Sequence, residues 1–109
     1  MTQQAIHLPL RPTALVAANN FITIGAMRAL QEAGLEVPED IALAGFDDFP
    51  PAMVIFPFFT VISQPAYEMG TRATQLLLAR LEDDSPSNYK EVILPSQLII
   101  RHSSGHSIH

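Results

Sequence analysis

Two apolar segments of this chain end in polar side chains that can form hydrogen bonds with a small molecule. The segment Ala14 to Ala18 runs into Asn19, and the segment Ile41 to Ala44 leads through two further residues to Asp47. A carboxylate can accept charge-assisted hydrogen bonds from vicinal hydroxyls, which are about twice as strong as neutral ones. An amide both donates and accepts, which suits sugar hydroxyls or a nucleobase edge. We therefore predict that Asn19 and Asp47 bind a ligand, with helix N-capping and loop capping as their alternative roles.

A strand–helix–strand pattern is expected to position these two residues. Asn19 can cap the first turn of a helix, and Gly34 can supply the left-handed residue that ends it. The apolar positions between them recur at helical spacing: Ile22, Ala26, Met27, Leu30 and Ala33. Two strands joined in this way are parallel, and ligands bind outside the carboxyl ends of the strands in open α/β sheets. The sequence thus predicts an α/β fold with a ligand crevice at one end of its strands.

The remainder of the chain predicts a third strand, a second long helix and a returning strand. The apolar run Phe59 to Ile62 is closed by Gln64, and the helical pattern from Ala66 extends to about Leu81. Residues 91–101 are predicted to form one or two strands interrupted at Pro95, and residues 102–109 are predicted to form a polar tail. The spacing of His102, His106 and His109 would suit a metal on a helix, but the glycine and serines between them favour a solvated tail.

Composition limits the possible functions. The chain has 109 residues, of which 48% are hydrophobic and 16% charged, and its net charge is −5. This predicts one ordered domain that lacks the basic patch of a nucleic-acid-binding module. No apolar run is long enough to span a bilayer. The absence of cysteine excludes disulfides and fits a reducing compartment, so we predict a cytoplasmic location.

The adjacent carboxylates of Asp47 and Asp48 raise the question of acid–base catalysis. Neighbouring residues in an extended chain point in opposite directions, and no histidine lies near them in sequence. We therefore predict no enzymatic activity, no metal and no cofactor. Asp48 is expected to pair locally or to cap the turn that follows it.

Four segments together resemble the lactose-repressor/galactose-repressor (LacI/GalR) family of transcriptional regulators. They are PTALVAANN, GAMRALQEAGLEVPEDIALAGFDD, FFTVISQPAYEMGTRATQLLLARL and ILPSQLIIR, in this order from Pro12 to Arg101. The resemblance implies a partial periplasmic-binding-protein-like fold, a parallel sheet with flanking helices, from the C-terminal part of the effector-binding domain. The implied organisation is residues 12–62 mainly in the C-terminal subdomain, helix 66–81 normally packed on the N-terminal subdomain, returning strand 91–101 and tail 102–109.

The same resemblance implies a function. The chain would be the effector-binding and dimerisation portion of a regulator that senses a sugar, nucleobase or related small metabolite. It would form a homodimer, contact DNA only through an N-terminal headpiece missing here, and bind its effector weakly or not at all on its own. The alternatives are a solute-binding protein of a sugar transporter, which shares the fold, and a structural fragment without a ligand.

Individual residues take roles from the resemblance. The position of Asp47 contacts the effector in many members, and Asn20 replaces a frequent aspartate. Gln64 lies where the chain passes the cleft, so it is predicted to bind ligand or, alternatively, the hinge backbone. Five residues are predicted to lie in a dimer interface, with packing within the monomer as the alternative: Ile24, Arg28, Met53, Val54 and Ile55.

Overall fold

A computed structural model describes residues 1–49, 58–82 and 89–105. The predicted strands and long helices appear in the predicted order, with boundaries that differ by one or two residues except in the returning strand. The helices are α1 (Thr2–Ile6), α2 (Asn20–Glu32) and α3 (Ala66–Glu82), and a short 3₁₀ helix spans His102–Ser104. The strands are β1 (Ala14–Ala17), β2 (Ala42–Phe46), β3 (Thr60–Ser63) and β4 (Gln97–Ile99). The returning strand is therefore shorter than the predicted range 91–101.

The four strands form one mixed sheet in the order β1-β2-β3-β4. β1 pairs with β2 in parallel, as the strand–helix–strand pattern predicted. β2 also pairs with β3 in parallel. β4 is the exception, because it pairs with β3 in antiparallel orientation, with Ile62 opposite Leu98. The sheet is thus parallel over the three strands that carry the predicted site.

The core of this part of the molecule lies between α2 and β2. Leu30 of α2 and Leu43 of β2 are fully buried, together with Ile41 just before β2. Only part of the predicted helical stripe faces this core, because Ile22 and Ala33 are exposed, whereas Thr23 is buried in their place. Gly34 has a φ of 73°, which confirms the left-handed residue that ends the helix.

The described residues form two compact units. The first contains the sheet, α1, α2 and the 3₁₀ helix, and the second runs from Gln64 to Ser96 and contains α3. No residue of α3 is buried, and several large apolar side chains along it are exposed: Met69, Leu77, Leu78 and Leu81. Over the described ranges, no helix is long and apolar enough to cross a membrane.

Candidate functional site

The predicted ligand residues leave the sheet at the same end of two adjoining strands. Ala17, the last residue of β1, pairs with Gly45 of β2 in parallel register. Asn19 and Asp47 each follow one of these partners by two residues, and neighbouring strands lie about 4.8 Å apart. β3 also runs parallel to β2 and ends at Ser63. We call this end of β1, β2 and β3 the carboxyl edge.

Asn19 is the N-cap of α2. Its backbone is extended, and its Oδ1 accepts a hydrogen bond of 2.8 Å from the backbone N–H of Ile22. Its carbonyl accepts bonds of 2.9 Å from both the backbone N–H and the hydroxyl of Thr23. The capping role that the sequence allowed is therefore confirmed. A ligand role would use the amide nitrogen, the donor end of the same side chain.

A buried threonine and a glycine bring the first turn of α2 close to β2. Thr23 is fully buried, and a Cβ at Gly45 would collide with the Thr23 hydroxyl. Glycine at position 45 is thus what allows the helix to approach the strand at the carboxyl edge. The sequence contained a signal for this contact, because Thr23 shares the helical spacing of Ala26 and Leu30.

Asp47 makes the turn at the end of β2. Its φ is 74°, and it is the one non-glycine residue with a positive φ among those the structure describes. Aspartate and asparagine enter this left-handed region more readily than most residues with a Cβ. The Asp47 backbone N–H donates a 2.8 Å bond to the Ile62 carbonyl, which extends the β2–β3 ladder by one residue.

Asp48 forms a bidentate ion pair with Arg101. Arg101 Nη1 donates to Asp48 Oδ1 at 2.9 Å, and Nη2 donates to Oδ2 at 3.0 Å. Oδ1 also accepts a 2.8 Å bond from the Phe49 backbone N–H, whereas the turn that Asp48 was predicted to cap lies outside the described residues. Of the two predicted roles, local pairing is not what the structure shows, because the charge partner Arg101 lies 53 residues further along the chain.

This ion pair shifts both pKa values towards the charged forms. The Arg101 hydrogen bonds lower the pKa of Asp48 below its usual value, partial burial opposes them, and the Phe49 N–H and the Arg101 charge add to the lowering. The pKa of Arg101 is raised, first by its hydrogen bonds to Asp48. Asp48 is thus neutralised by a fixed partner, which argues against a catalytic role for the carboxylate.

A second, weaker link joins the ends of β1 and β2. The amide nitrogen of Asn20 lies 3.5 Å from the carbonyl of Asp48, a long hydrogen bond. An aspartate at position 20 could not donate to that carbonyl. Asn20 therefore adds a contact within the carboxyl edge that an aspartate could not make.

The remaining predicted residues follow β3, lie on α2 or fall outside the described ranges. Gln64 directly follows Ser63 at the end of β3 and opens the second unit, and its carbonyl accepts a 2.8 Å bond from the Ala66 backbone N–H. Ile24 and Arg28 are on the exposed side of α2, where Arg28 lies 3.9 Å from Glu32. Three predicted dimer residues fall outside the described ranges: Met53, Val54 and Ile55.

The predicted tail contains a buried residue that sequence reasoning missed. Ser103 is fully buried, donates to the Leu43 carbonyl at 2.5 Å and accepts from the Thr60 backbone N–H at 2.8 Å. The solvated-tail interpretation is therefore wrong for Ser103, although His102 is exposed as predicted. His106 and His109 lie outside the described ranges.

An apolar groove of about 210 Å³ lies beside the carboxyl edge and does not include the predicted ligand residues. It is formed by α1, β1, β2 and the start of α2, and its lining residues are Met1, Thr2, Ala5, Leu15, Val16, Ala17, Ile22, Ala26 and Leu43. Thr2 contributes the one polar side chain of this set. Sugar sites need several convergent polar groups, so the groove does not suit a sugar.

The parallel strands and their shared polar edge define a class of α/β ligand-binding domain. A family model described as the periplasmic binding protein-like domain matches residues 1–104. The chain is 42% identical over 99 residues to the lactose operon repressor of Rhizobium radiobacter, covering 91% of this chain and 86% of that protein. It is 41% identical over 95 residues to a probable opine utilization operon repressor of Rhizobium rhizogenes, covering 87% of this chain.

The chain is also similar to a solved structure of the same class as these relatives. A LacI family transcriptional regulator from Enterococcus faecium, with bound ribose, has a TM-score of 0.79 and 31% identity over 94% of this chain. The chain belongs to the periplasmic binding protein-like domain family, in its LacI-type branch. It spans 48% of the opine repressor and 38% of the ribose-bound structure.

Proposed function

We propose that this chain is part of the effector-binding domain of a LacI-type transcriptional regulator and that its carboxyl edge binds a sugar or a related small metabolite. The observation that carries the proposal is the parallel pairing of Ala17 with Gly45, because Asn19 follows the first of these partners by two residues and Asp47 follows the second by two residues. In this proposal the Asp47 carboxylate accepts bonds from ligand hydroxyls, and Asn19 donates from its amide nitrogen. Gln64 remains a predicted third contact.

The relatives support a regulator more than a transporter protein. Those described above are named as repressors or as a regulator, and one of them holds ribose. In a regulator the ligand acts through its differential affinity for two conformations, typically worth about 1–3 kcal/mol of coupling. We propose that operator binding belongs to a DNA-binding headpiece outside this acidic chain and that the site performs no catalysis. The cytoplasmic location stays a prediction.

An NMR titration of the ¹⁵N-labelled chain tests the binding site directly. The probes are D-ribose, D-galactose, lactose and adenine, each raised to millimolar concentration so that weak binding is detected. We expect one probe to shift the amide resonances at positions 19–20 and 45–48. Asp47→Asn should abolish that response, whereas Glu39→Gln, the same change at an exposed glutamate, should preserve it. Resonance shifts confined to the apolar groove, or a response at positions 19–20 and 45–48 that Asp47→Asn leaves intact, would contradict the proposal.

Chromatin immunoprecipitation from the native organism, with an antibody raised against this chain, separates the two classes of protein. A regulator should be enriched at a few discrete chromosomal sites, and growth on its effector should change that enrichment. A solute-binding protein should give no enriched site. The experiment examines the protein as the cell makes it and therefore does not depend on the affinity of the isolated chain.

A further inference from the structure

We propose that Arg101 is a positioning residue for the carboxyl edge. Through Asp48 it holds Asp47 in its left-handed conformation and thereby fixes the direction of the Asp47 carboxylate. The inference rests on the proposed function in one respect, since the direction of Asp47 matters for binding only if that carboxylate contacts the ligand. The conformational effect itself can be measured without any ligand.

The chain is fixed on both sides of Asp47. Before it, Phe46 is held in β2 by its pairing with Ile62, whose carbonyl also accepts the Asp47 N–H at 2.8 Å. After it, the Asp48 carboxylate is held by two hydrogen bonds from Arg101. The change of direction between these two anchors falls on Asp47. Its φ of 74° is a conformation that a Cβ disfavours.

Arg101 is itself immobilised on the sheet. Its backbone N–H donates to the Thr60 hydroxyl at 2.8 Å, and that hydroxyl donates to the Arg101 carbonyl at 3.0 Å. Its Nη1 also donates to the Phe59 carbonyl at 3.1 Å, and its side chain is 18% exposed. A guanidinium fixed in this way presents two parallel N–H groups in one plane, which restricts the orientation of a bidentate carboxylate.

The competing explanation is that Asp47 turns for local reasons alone. Aspartate tolerates left-handed backbone, and the bond to Ile62 would survive the loss of Arg101. The two explanations differ in one measurable quantity, which is the advantage of glycine over alanine at position 47. Glycine is favoured there only while the surrounding structure keeps φ positive.

The test is a thermal-unfolding cycle on the full chain. Asp47→Gly and Asp47→Ala are compared in the wild-type background and again with Arg101→Gln. With Arg101 present, we expect the glycine variant to melt about 4–8 °C above the alanine variant. With Arg101→Gln, that gap should fall to less than half, because residue 47 can then relax to a negative φ. An undiminished gap would overturn the proposal and leave Arg101 with a merely structural role.

Two further variants and one spectroscopic signal complete the design. Arg101→Lys keeps the positive charge but loses the two parallel N–H groups, so it should also reduce the difference in melting temperature between Asp47→Gly and Asp47→Ala. It replaces Arg101→Gln in the test if that variant does not fold. Arg72→Gln removes a positive charge from exposed α3 and should leave the gap unchanged. A strong intraresidue amide–Hα cross-peak at Asp47, the NMR signature of positive φ, should weaken in both Arg101 variants. Because no ligand is present, failure of the sensor proposal would not affect these outcomes.

Discussion

Asp47 and Asp48 are adjacent and chemically alike, yet the structure gives them different environments. Asp48 turns towards Arg101 and forms a charge-neutralising pair, whereas Asp47 turns at the end of β2 with a positive φ. Asp48 is therefore a structural anchor, and Asp47 is a candidate ligand contact.

Asp48→Asn should weaken the acid dependence of folding. The folded-state pKa of Asp48 is depressed, so its stabilising effect is present above the unfolded-state pKa of about 3.9 and is lost as the pH falls through the folded-state value. For a half-buried bidentate pair, we expect the variant to lose about 1–2 kcal/mol of unfolding free energy at pH 7. Urea unfolding from pH 7 down to pH 3 should show this difference shrinking below about pH 4.

The partner variant provides the control for this titration. Arg101→Gln removes the donors that depress the Asp48 pKa, so its stability should follow the same flattened pH profile. A difference between wild type and Asp48→Asn that stays constant across the whole pH range would contradict the assignment of this acid dependence to the ion pair.

Gly45→Ala should disturb the approach of α2 to β2. The added methyl group meets the buried Thr23 hydroxyl, and overpacking of this kind costs about 1–3 kcal/mol. Thermal or urea unfolding measures the loss. Gly25→Ala is the matched control: a Cβ at Gly25 meets nothing within 4 Å, and alanine in a helix is favoured over glycine by up to about 1 kcal/mol. Destabilisation of both variants alike would contradict the packing argument.

Among the secondary-structure elements, the short 3₁₀ helix at His102–Ser104 links two strands of the sheet through hydrogen bonds. Ser103 connects three segments, because its hydroxyl donates to Leu43 in β2 and accepts from Thr60 in β3. The hydroxyl of Thr60 in turn forms a 2.6 Å bond with Ser104. This polar contact holds the segment after β4 against the sheet and keeps Arg101 within reach of Asp48.

Ser103→Ala should therefore destabilise the first unit and loosen the ion pair. It leaves one buried N–H and one buried carbonyl without this partner, a loss of about 1–3 kcal/mol. Hydrogen exchange should rise at the Thr60 amide, the donor that loses its acceptor. Ser96→Ala, at an exposed position, should be nearly neutral. Unchanged exchange at Thr60 would show that the contact contributes little.

At the level of the whole molecule, association remains a prediction with a physical basis. Phe21 and Ile24 are exposed on α2, at 74% and 43%, on the side where the dimer interface is predicted. Light scattering should show a dimer that Ile24→Glu dissociates, because a charge placed in an apolar contact must be desolvated. Gln31→Glu adds the same charge at another exposed position of α2 and should leave the dimer intact.

The exposed apolar face of α3 is the alternative location for the dimer contact. If Leu78→Glu dissociates the dimer and Ile24→Glu does not, the contact runs through α3 and the prediction for α2 is wrong. The two variants change one apolar side chain each, with exposures of 52% and 43%. The comparison therefore tests position more than the amount of apolar surface removed.

The elements that build the carboxyl edge could be read from local patterns. The apolar runs of β1 and β2, the Asn19 cap and the left-handed Gly34 all depend on interactions within a few residues, and each lies where the sequence indicated it. The parallel pairing of β1 with β2 followed from the short helical connection between them. The sequence was therefore sufficient to bring Asn19 and Asp47 to one end of the sheet.

Tertiary structure decided the contacts that join distant segments. Arg101 reaches Asp48 across 53 residues, and Ser103 reaches Leu43 across 60. No periodicity links such pairs, because their meeting depends on the antiparallel return of β4 beside β3. For the same reason, sequence patterns alone did not show that Ser103 is buried and links β2 to β3, or that Asp48 and not Asp47 pairs with Arg101.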